Sequence, residues 1–140
     1  MTIETFLSKP YWVIDILPKQ VPAGGGGQYF TIEKYFLAPP QVDIIYQKFA
    51  NLVLKLNCYF DIIVSHTGDE WTVNPAPSEL QEMVTSRRQL FIVLNNKKTM
   101  ISITGDDHYM TVYDPNEEFL ELTTTLASAE GLYVWKPKTI

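Results

Sequence analysis

The stretch QLFIVLNNKKTMISITGDDHYMTVYD, residues 89–114, predicts the centre of the fold. Its segment Leu90–Leu94 is five consecutive apolar residues between polar ones, which is too short for a globular helix and typical of a strand covered on both faces. After an Asn-Asn-Lys-Lys turn, Met100–Thr104 alternates like a strand with one solvated face, and His108–Tyr113 follows a Gly-Asp-Asp turn. We therefore predict a three-stranded meander with Leu90–Leu94 as the central strand.

Two more strands are predicted near the N-terminus, at Tyr11–Leu17 and Gln28–Leu37, because both segments are rich in aromatic and β-branched residues. Between them, residues 18–27 contain prolines and end in four glycines, Gly24–Gly27, so we expect a flexible loop within the domain. A glycine run can also cradle phosphate. Such cradles usually lead into a helix, whereas a predicted strand follows this one, so a plain loop is favoured.

Three helices are predicted from apolar residues spaced three and four apart and from their end signals. The first covers Val42–Asn57, and the second covers Glu79–Arg87, with acids at its start and arginine at its end as the helix dipole favours. The third has Asp114 as its capping residue and Pro115 as its first helical residue, and it stops at Gly131. The remaining short strands are predicted at Cys58–Ser65, Glu70–Val73 and Leu132–Trp135.

The resulting order is ββ-α-ββ-α-βββ-α-β, without an internal repeat or a break in composition. We predict one α+β domain over residues 1–140, with a mostly antiparallel twisted sheet and about three helices packed against it. A chain of 140 residues can bury a core without a disulfide, and its one cysteine, Cys58, cannot form one internally. The lack of a signal-peptide pattern and of long apolar runs predicts a cytoplasmic protein that makes no membrane contact.

The charge distribution is the most informative functional feature of the sequence. The formal net charge is −5, and the segment between Lys98 and Lys136 contains seven acids and no Lys or Arg. The other residues carry nine acids and eleven basic residues, so the acidity is confined to one region. Solubility and the preference of helix starts for acids explain such a segment without any function. The functional alternative is a docking face for a basic partner protein, formed by Asp106, Asp107, Glu117, Glu118 and Glu121.

No catalytic or cofactor-binding motif stands out, so we predict no cofactor and favour a function other than catalysis. The clustered Lys and Arg that would bind a phosphate backbone are also lacking, which argues against a nucleic-acid partner. In size, acidity and single-domain α+β composition the chain is similar to many small bacterial binding proteins, including immunity proteins that neutralise toxins. This likeness covers no specific residues, and it implies a small interaction domain that inhibits its partner.

Other interpretations are kept as alternatives. One is a small enzyme or ligand-binding module with a pocket under Gly24–Gly27 and that loop as its lid, and another is a homodimer. Metal binding through His66 or His108 is less favoured, because their spacing from nearby acids matches no metal-binding template. Catalysis by Cys58 is also less favoured, since a cysteine that opens an apolar strand is usually a buried hydrophobe. We therefore predict no metal site and no catalytic residue.

Overall fold

The predicted meander forms the middle of one antiparallel sheet. The structure is a computed structural model that describes residues 3–105 and 107–137. In it, β4 (Leu90–Leu94), β5 (Thr99–Ile103) and β6 (Tyr109–Tyr113) follow one another, and each pairs with the next. The strand over Leu90–Leu94 has the predicted bounds, because its apolar side chains are buried on both faces of the sheet.

The described residues form a single α+β domain with five helices and seven strands. None of these helices is long and apolar enough to span a bilayer, a finding that applies to the described ranges. The elements outside the meander are α1 (Ile3–Leu7), β1 (Tyr11–Asp15), α2 (Tyr29–Phe36), α3 (Gln41–Tyr59), β2 (Ile63–Ser65), β3 (Thr72–Val73), α4 (Pro77–Thr85), α5 (Glu117–Ala129) and β7 (Tyr133–Trp135).

The seven strands form one sheet in the order β3-β2-β4-β5-β6-β1-β7, and every neighbouring pair is antiparallel. The middle position belongs to β5, with the predicted central strand β4 beside it. One face of the sheet, which we call the helix face, is covered by α3, α4 and α5. Their buried side chains, among them Phe49, Leu80 and Phe119, pack with Ile92 and Ile101 of the sheet. Burial of each such side chain contributes about 1.5–3 kcal/mol to folding.

The opposite face of the sheet, which we call the second face, is covered in part by α1. Phe6 of α1 packs with Phe91 and Met100, which point away from the helix face. This packing explains why all five residues of β5 are buried, although their alternating pattern predicts one solvated face. Farther along the sheet, where β6, β1 and β7 lie side by side, the second face borders a cavity.

The segment Gln28–Leu37, predicted as a strand, contains the helix α2 instead, so that prediction was wrong. Both sides of β1 are occupied by β6 and β7, so this segment cannot pair with β1 as the second strand of a hairpin. Within α2, the hydroxyl of Tyr29 donates to Oε2 of Glu33 at 2.9 Å, one helical turn further on. With α1, which was not predicted, the described part of the chain has five helices rather than about three.

Other boundaries differ from the predictions as well, and at two of them a residue has a different role. α3 extends through Cys58 to Tyr59, so this cysteine lies on a helix with its side chain exposed, not at the buried start of a strand. The capping residue of α5 is Asn116 rather than Asp114, since the Asn116 side chain accepts a hydrogen bond from the Phe119 N–H at 2.8 Å. Asp114 has a left-handed backbone, with φ of 56°, and belongs to the preceding turn.

Candidate ligand-binding site

The cavity on the second face has a volume of about 580 Å³, within the range typical of small-molecule sites. Strand register explains its composition. Tyr11 is paired with Tyr113, and Asp15 with Tyr109, and cross-strand partners place their side chains on the same face of a sheet. We call it the tyrosine cavity. Its floor is formed by Tyr11, Val13, Asp15, Tyr109, Thr111, Tyr113 and Trp135.

The walls of the tyrosine cavity come from segments outside the sheet. They are Leu7 of α1, Tyr29 of α2, Pro137, and residues 17 and 19–21, which follow β1. The first part of the predicted loop over 18–27 therefore borders the cavity, whereas Gly24–Gly27 are not among its described lining residues. The positive φ of 110° at Gly27, just before α2, is a conformation that glycine adopts without strain.

Asp15 is the one carboxylate among the described residues that line the cavity. It is 7% exposed, and its Oδ1 accepts a hydrogen bond from the N–H of Ile16 at 2.6 Å. Burial raises the pKa of Asp15 above its ordinary value, while His108 and the N–H groups of Ile16 and Leu17 oppose this rise. No Lys or Arg of the described residues forms an ion pair with Asp15. The cavity thus contains a largely desolvated carboxyl group.

Next to Asp15, the buried imidazole of His108 lies between two carboxylates. Its Nε2 is 3.6 Å from Asp15 Oδ1, and its Nδ1 is 3.7 Å from Glu33 Oε2. Both distances are longer than a hydrogen bond but short enough for an ion pair when the imidazole is protonated. Because Glu33 also accepts the hydroxyl proton of Tyr29, this polar cluster connects β1, the start of β6 and α2.

Burial and nearby negative charge raise the pKa values of two tyrosines of the cavity. Burial raises the pKa of Tyr29 to about 12, together with its hydrogen bond to Glu33 and the charges of Glu33 and Asp15. Burial also raises the pKa of Tyr109, with further contributions from Asp107 and Asp15. Both phenols therefore stay neutral over the physiological pH range, so Asp15 is the ionisable anion of the cavity floor.

The acids predicted to form a docking face lie in separate parts of the fold. Asp106 lies outside the described residues. Asp107 lies in the β5–β6 turn, where its Oδ2 accepts the hydroxyl of Thr104 at 2.6 Å. The turn and the start of α5 are at opposite ends of β6, a separation of about 16 Å for a strand of this length. The three acids exposed in the first turns of α5 are Glu117, Glu118 and Glu121.

Two further acids of the acidic segment have basic neighbours. Glu130 forms an ion pair with Lys55, and the hydrogen bond from Lys55 lowers the pKa of Glu130. Asp114 borders a smaller hollow, of about 380 Å³, between α1 and the β4–β5 turn. The structure therefore places basic side chains beside the start of α5. The lysines that line this hollow are Lys9, Lys97 and Lys98.

The two histidines considered as metal ligands have different surroundings. His66 lies with its Nδ1 2.9 Å from the carbonyl oxygen of Gln89, and His108 belongs to the cluster beside the cavity. Over residues 3–105 and 107–137, no three His, Cys, Asp or Glu side chains are arranged to hold a metal ion. For His108 the reason is visible, because Asp15 and Glu33 approach different nitrogens of the ring and do not converge on one point.

The sequence-based predictions missed the cavity residues, above all Asp15, Tyr29 and Tyr109. A signal for Asp15 was present, because a single acid within the apolar strand Tyr11–Leu17 is unusual unless it is paired or functional. Its aromatic surroundings depend on the pairing of β1 with β6, which are far apart in the chain. Comparison of the chain with protein-family models, with curated proteins and with solved structures gave no match.

Proposed function

We propose that this protein is a ligand-binding domain that takes a small organic molecule into the tyrosine cavity. The observation that carries the proposal is the desolvated Asp15 carboxylate on a mainly aromatic floor, in a cavity of about 580 Å³. A few fixed polar groups among apolar and aromatic walls are typical of small-molecule sites. A buried carboxylate with a raised pKa in such a cleft is also characteristic of functional sites.

Trp135 gives additional support to this proposal. Its indole Nε1 is buried and has no hydrogen-bond partner among the described residues, although the residue itself lines the cavity. Buried donors without a partner are rare in folded proteins, and sites with a function are among the places where they occur. The tyrosine cavity is thus lined by a residue with a buried acceptor, Asp15, and by a residue with a buried donor that has no described partner, Trp135.

A substitution that fills the cavity tests the proposal. Thr111 lies on the floor opposite Val13, so Thr111→Trp would place an indole ring in the space that a ligand would occupy. We expect the wild-type protein to bind members of a fragment library saturably in ligand-observed NMR, and we expect Thr111→Trp to abolish this binding. Circular dichroism and thermal unfolding would establish that the variant is folded.

The matched control is Thr124→Trp, which adds the same side chain at an exposed position of α5. This variant should bind the same fragments with unchanged affinity. The proposal would be contradicted if no fragment in the library bound the wild-type protein. It would also be contradicted if a folded Thr111→Trp variant bound the fragments as tightly as the wild-type protein does.

A second candidate function, docking of a basic partner protein, is supported by the acids of α5. Glu117, Glu118 and Glu121 are exposed, and none forms an ion pair with a residue in the described ranges. Exposed acids on one helix create a local negative potential that accelerates the encounter with a positively charged surface. This candidate requires only α5, and it is independent of Asp107 and of the tyrosine cavity.

Charge reversal on α5 tests this second candidate. For a basic partner isolated by affinity purification, the variant Glu117→Lys/Glu118→Lys should lower the association rate by about tenfold at low ionic strength. Stopped-flow or surface plasmon resonance measurements would give this rate. The control, Glu79→Lys/Glu82→Lys, reverses two exposed acids on α4 and should leave the rate unchanged. Equal rates for both variants, or a rate insensitive to salt, would exclude docking through α5.

A further inference from the structure

We infer that the ligand of the tyrosine cavity is an organic cation, with an ammonium group bound at Asp15 and an apolar body held by the aromatic side chains. The inference rests on the proposed function and concerns the chemical class of the ligand. It follows from three features of the cavity: a carboxylate with free hydrogen-bond acceptor positions, an aromatic lining, and the distribution of charge around the floor.

The carboxylate of Asp15 has capacity for further donors. A carboxylate offers about four acceptor positions, and the backbone N–H of Ile16 uses one of them. Asp15 lines the cavity while being 7% exposed, so a donor that reaches it from the cavity displaces little water from the carboxylate. A charge-assisted hydrogen bond from an ammonium group would satisfy a remaining position and supply a positive charge, which the described lining residues offer only at the exposed Lys19.

The aromatic lining suits the same kind of ligand. Five aromatic residues border the cavity, and four of them lie on its floor, on the adjacent strands β1, β6 and β7: Tyr11, Tyr109, Tyr113 and Trp135. The face of an aromatic ring carries partial negative charge, so rings that surround a desolvated ammonium group stabilise it. The same rings bury the apolar body of a ligand, and tyrosine loses little conformational entropy on binding.

The ionisable groups around Asp15 also favour a positive ligand over a negative one. From α2 and the start of β6, Glu33 and His108 face Asp15, while Tyr29 and Tyr109 contribute neutral phenols. Lys19 borders the cavity as well, but its side chain is exposed to solvent. An anionic ligand on the floor would lie beside Asp15, and the buried His108 next to Asp15 is not among the described lining residues and already lies between two carboxylates.

Three probes with the same phenyl body test the inference: 2-phenylethylammonium, 2-phenylethanol and phenylacetate. Their affinities at neutral pH would be measured by following the Trp135 indole N–H signal in NMR titrations, with Trp135→Phe used to assign that signal. We expect the ammonium probe to bind about tenfold or more tightly than the alcohol, and phenylacetate to bind most weakly. In Asp15→Asn, the preference for the ammonium probe over the alcohol should fall to about threefold or less.

The control Asp43→Asn removes an exposed acid of α3 and should keep the wild-type preference. A quaternary probe, trimethyl(2-phenylethyl)ammonium, allows a second measurement on the wild-type protein, because its positive charge does not change with pH. Its affinity should rise as pH increases and Asp15 ionises. If the alcohol binds in the cavity but the ammonium probe binds no more tightly, the cation inference is overturned while the cavity proposal stands. If neither these probes nor the fragment library bind, both proposals fail.

Discussion

Replacing His108 with leucine should lower the free energy of unfolding by about 3 kcal/mol at neutral pH. His108 is 4% exposed and stands between the carboxylates of Asp15 and Glu33. A leucine would leave both carboxylates facing an apolar side chain in place of an imidazole, and a buried charge without a polar partner is among the most destabilising features in a protein. Urea unfolding followed by circular dichroism would give the free energy, provided that the slope of the transition is unchanged.

A double substitution separates this electrostatic effect from lost packing. By itself, Asp15→Asn should stabilise the protein by about 0.5–2 kcal/mol at neutral pH, because burial disfavours the charged form of Asp15. Combined with His108→Leu it should restore much of the lost stability, since the buried carboxylate beside the leucine is gone. The coupling free energy between Asp15 and His108 follows from this double-mutant cycle.

The difference in stability between Asp15→Asn and the wild-type protein should depend on pH in a direction that follows from the pKa of Asp15. The folded-state pKa of Asp15 is raised above the ordinary value of 3.8, so the folded protein binds this proton more strongly than the unfolded chain does. The stabilising contribution of the protonated carboxyl is complete below pH 3.8 and is lost as pH rises through the folded-state pKa. The stability advantage of Asp15→Asn should therefore be largest at neutral pH and shrink as the solution is acidified.

His66→Leu is the control for the histidine substitution. His66 is less buried than His108 and makes a hydrogen bond to the carbonyl group of Gln89, so the expected loss is about 1 kcal/mol or less. Equal losses for the two histidine variants would contradict the role assigned to His108. So would a double variant, Asp15→Asn/His108→Leu, in which the two free energy changes simply add.

Replacing Gly105 with alanine should destabilise the protein by about 3 kcal/mol. A β-carbon on Gly105 would lie 1.9 Å from the carbonyl oxygen of Arg87 and 3.0 Å from its carbonyl carbon. Both are backbone atoms, so the clash cannot be relieved by a change of rotamer and requires either the β5–β6 turn or the loop after α4 to move. Because this turn leads into His108, we also expect smaller chemical shift changes at the tyrosine cavity.

The matched control for Gly105→Ala is Gly26→Ala. Gly26 does not have a positive φ, and a β-carbon there has no neighbour within 4 Å. Its replacement should change the free energy of unfolding by less than about 0.5 kcal/mol, or stabilise the protein slightly by restricting the unfolded chain. If the Gly105→Ala variant were as stable as the Gly26→Ala variant, the close contact between Gly105 and the Arg87 carbonyl group would be contradicted.

Local patterns in the sequence predicted the parts of the fold that depend on local physics. The apolar run Leu90–Leu94 has the bounds of β4, and Gly131 ends α5 with φ of 76°, the left-handed conformation for which glycine is suited. The strand prediction for Gln28–Leu37 was wrong, because the alternation in this segment is equally compatible with a short exposed helix. The deciding factor was nonlocal, since β6 and β7 occupy both sides of β1.

The candidate site was less predictable than the fold. Asp15 and Tyr109 become neighbours through a strand pairing that no local pattern specifies, so their shared cavity could not be inferred from either segment. The acidic segment shows the converse problem, because acids that follow one another in sequence are separated by β6 in the fold. Docking by Glu117, Glu118 and Glu121 therefore stays a prediction that involves α5 alone.

The two outermost strands of the sheet limit how this domain can assemble. β3 is two residues long and β7 is three, and prolines follow both, at Pro75 and Pro137. An edge strand this short offers few unpaired N–H and C=O groups, and proline has no N–H to donate to an incoming strand. Dimers or fibres built by continuing the sheet from one molecule into the next are thus disfavoured. A homodimer of this protein would have to associate through side chains instead.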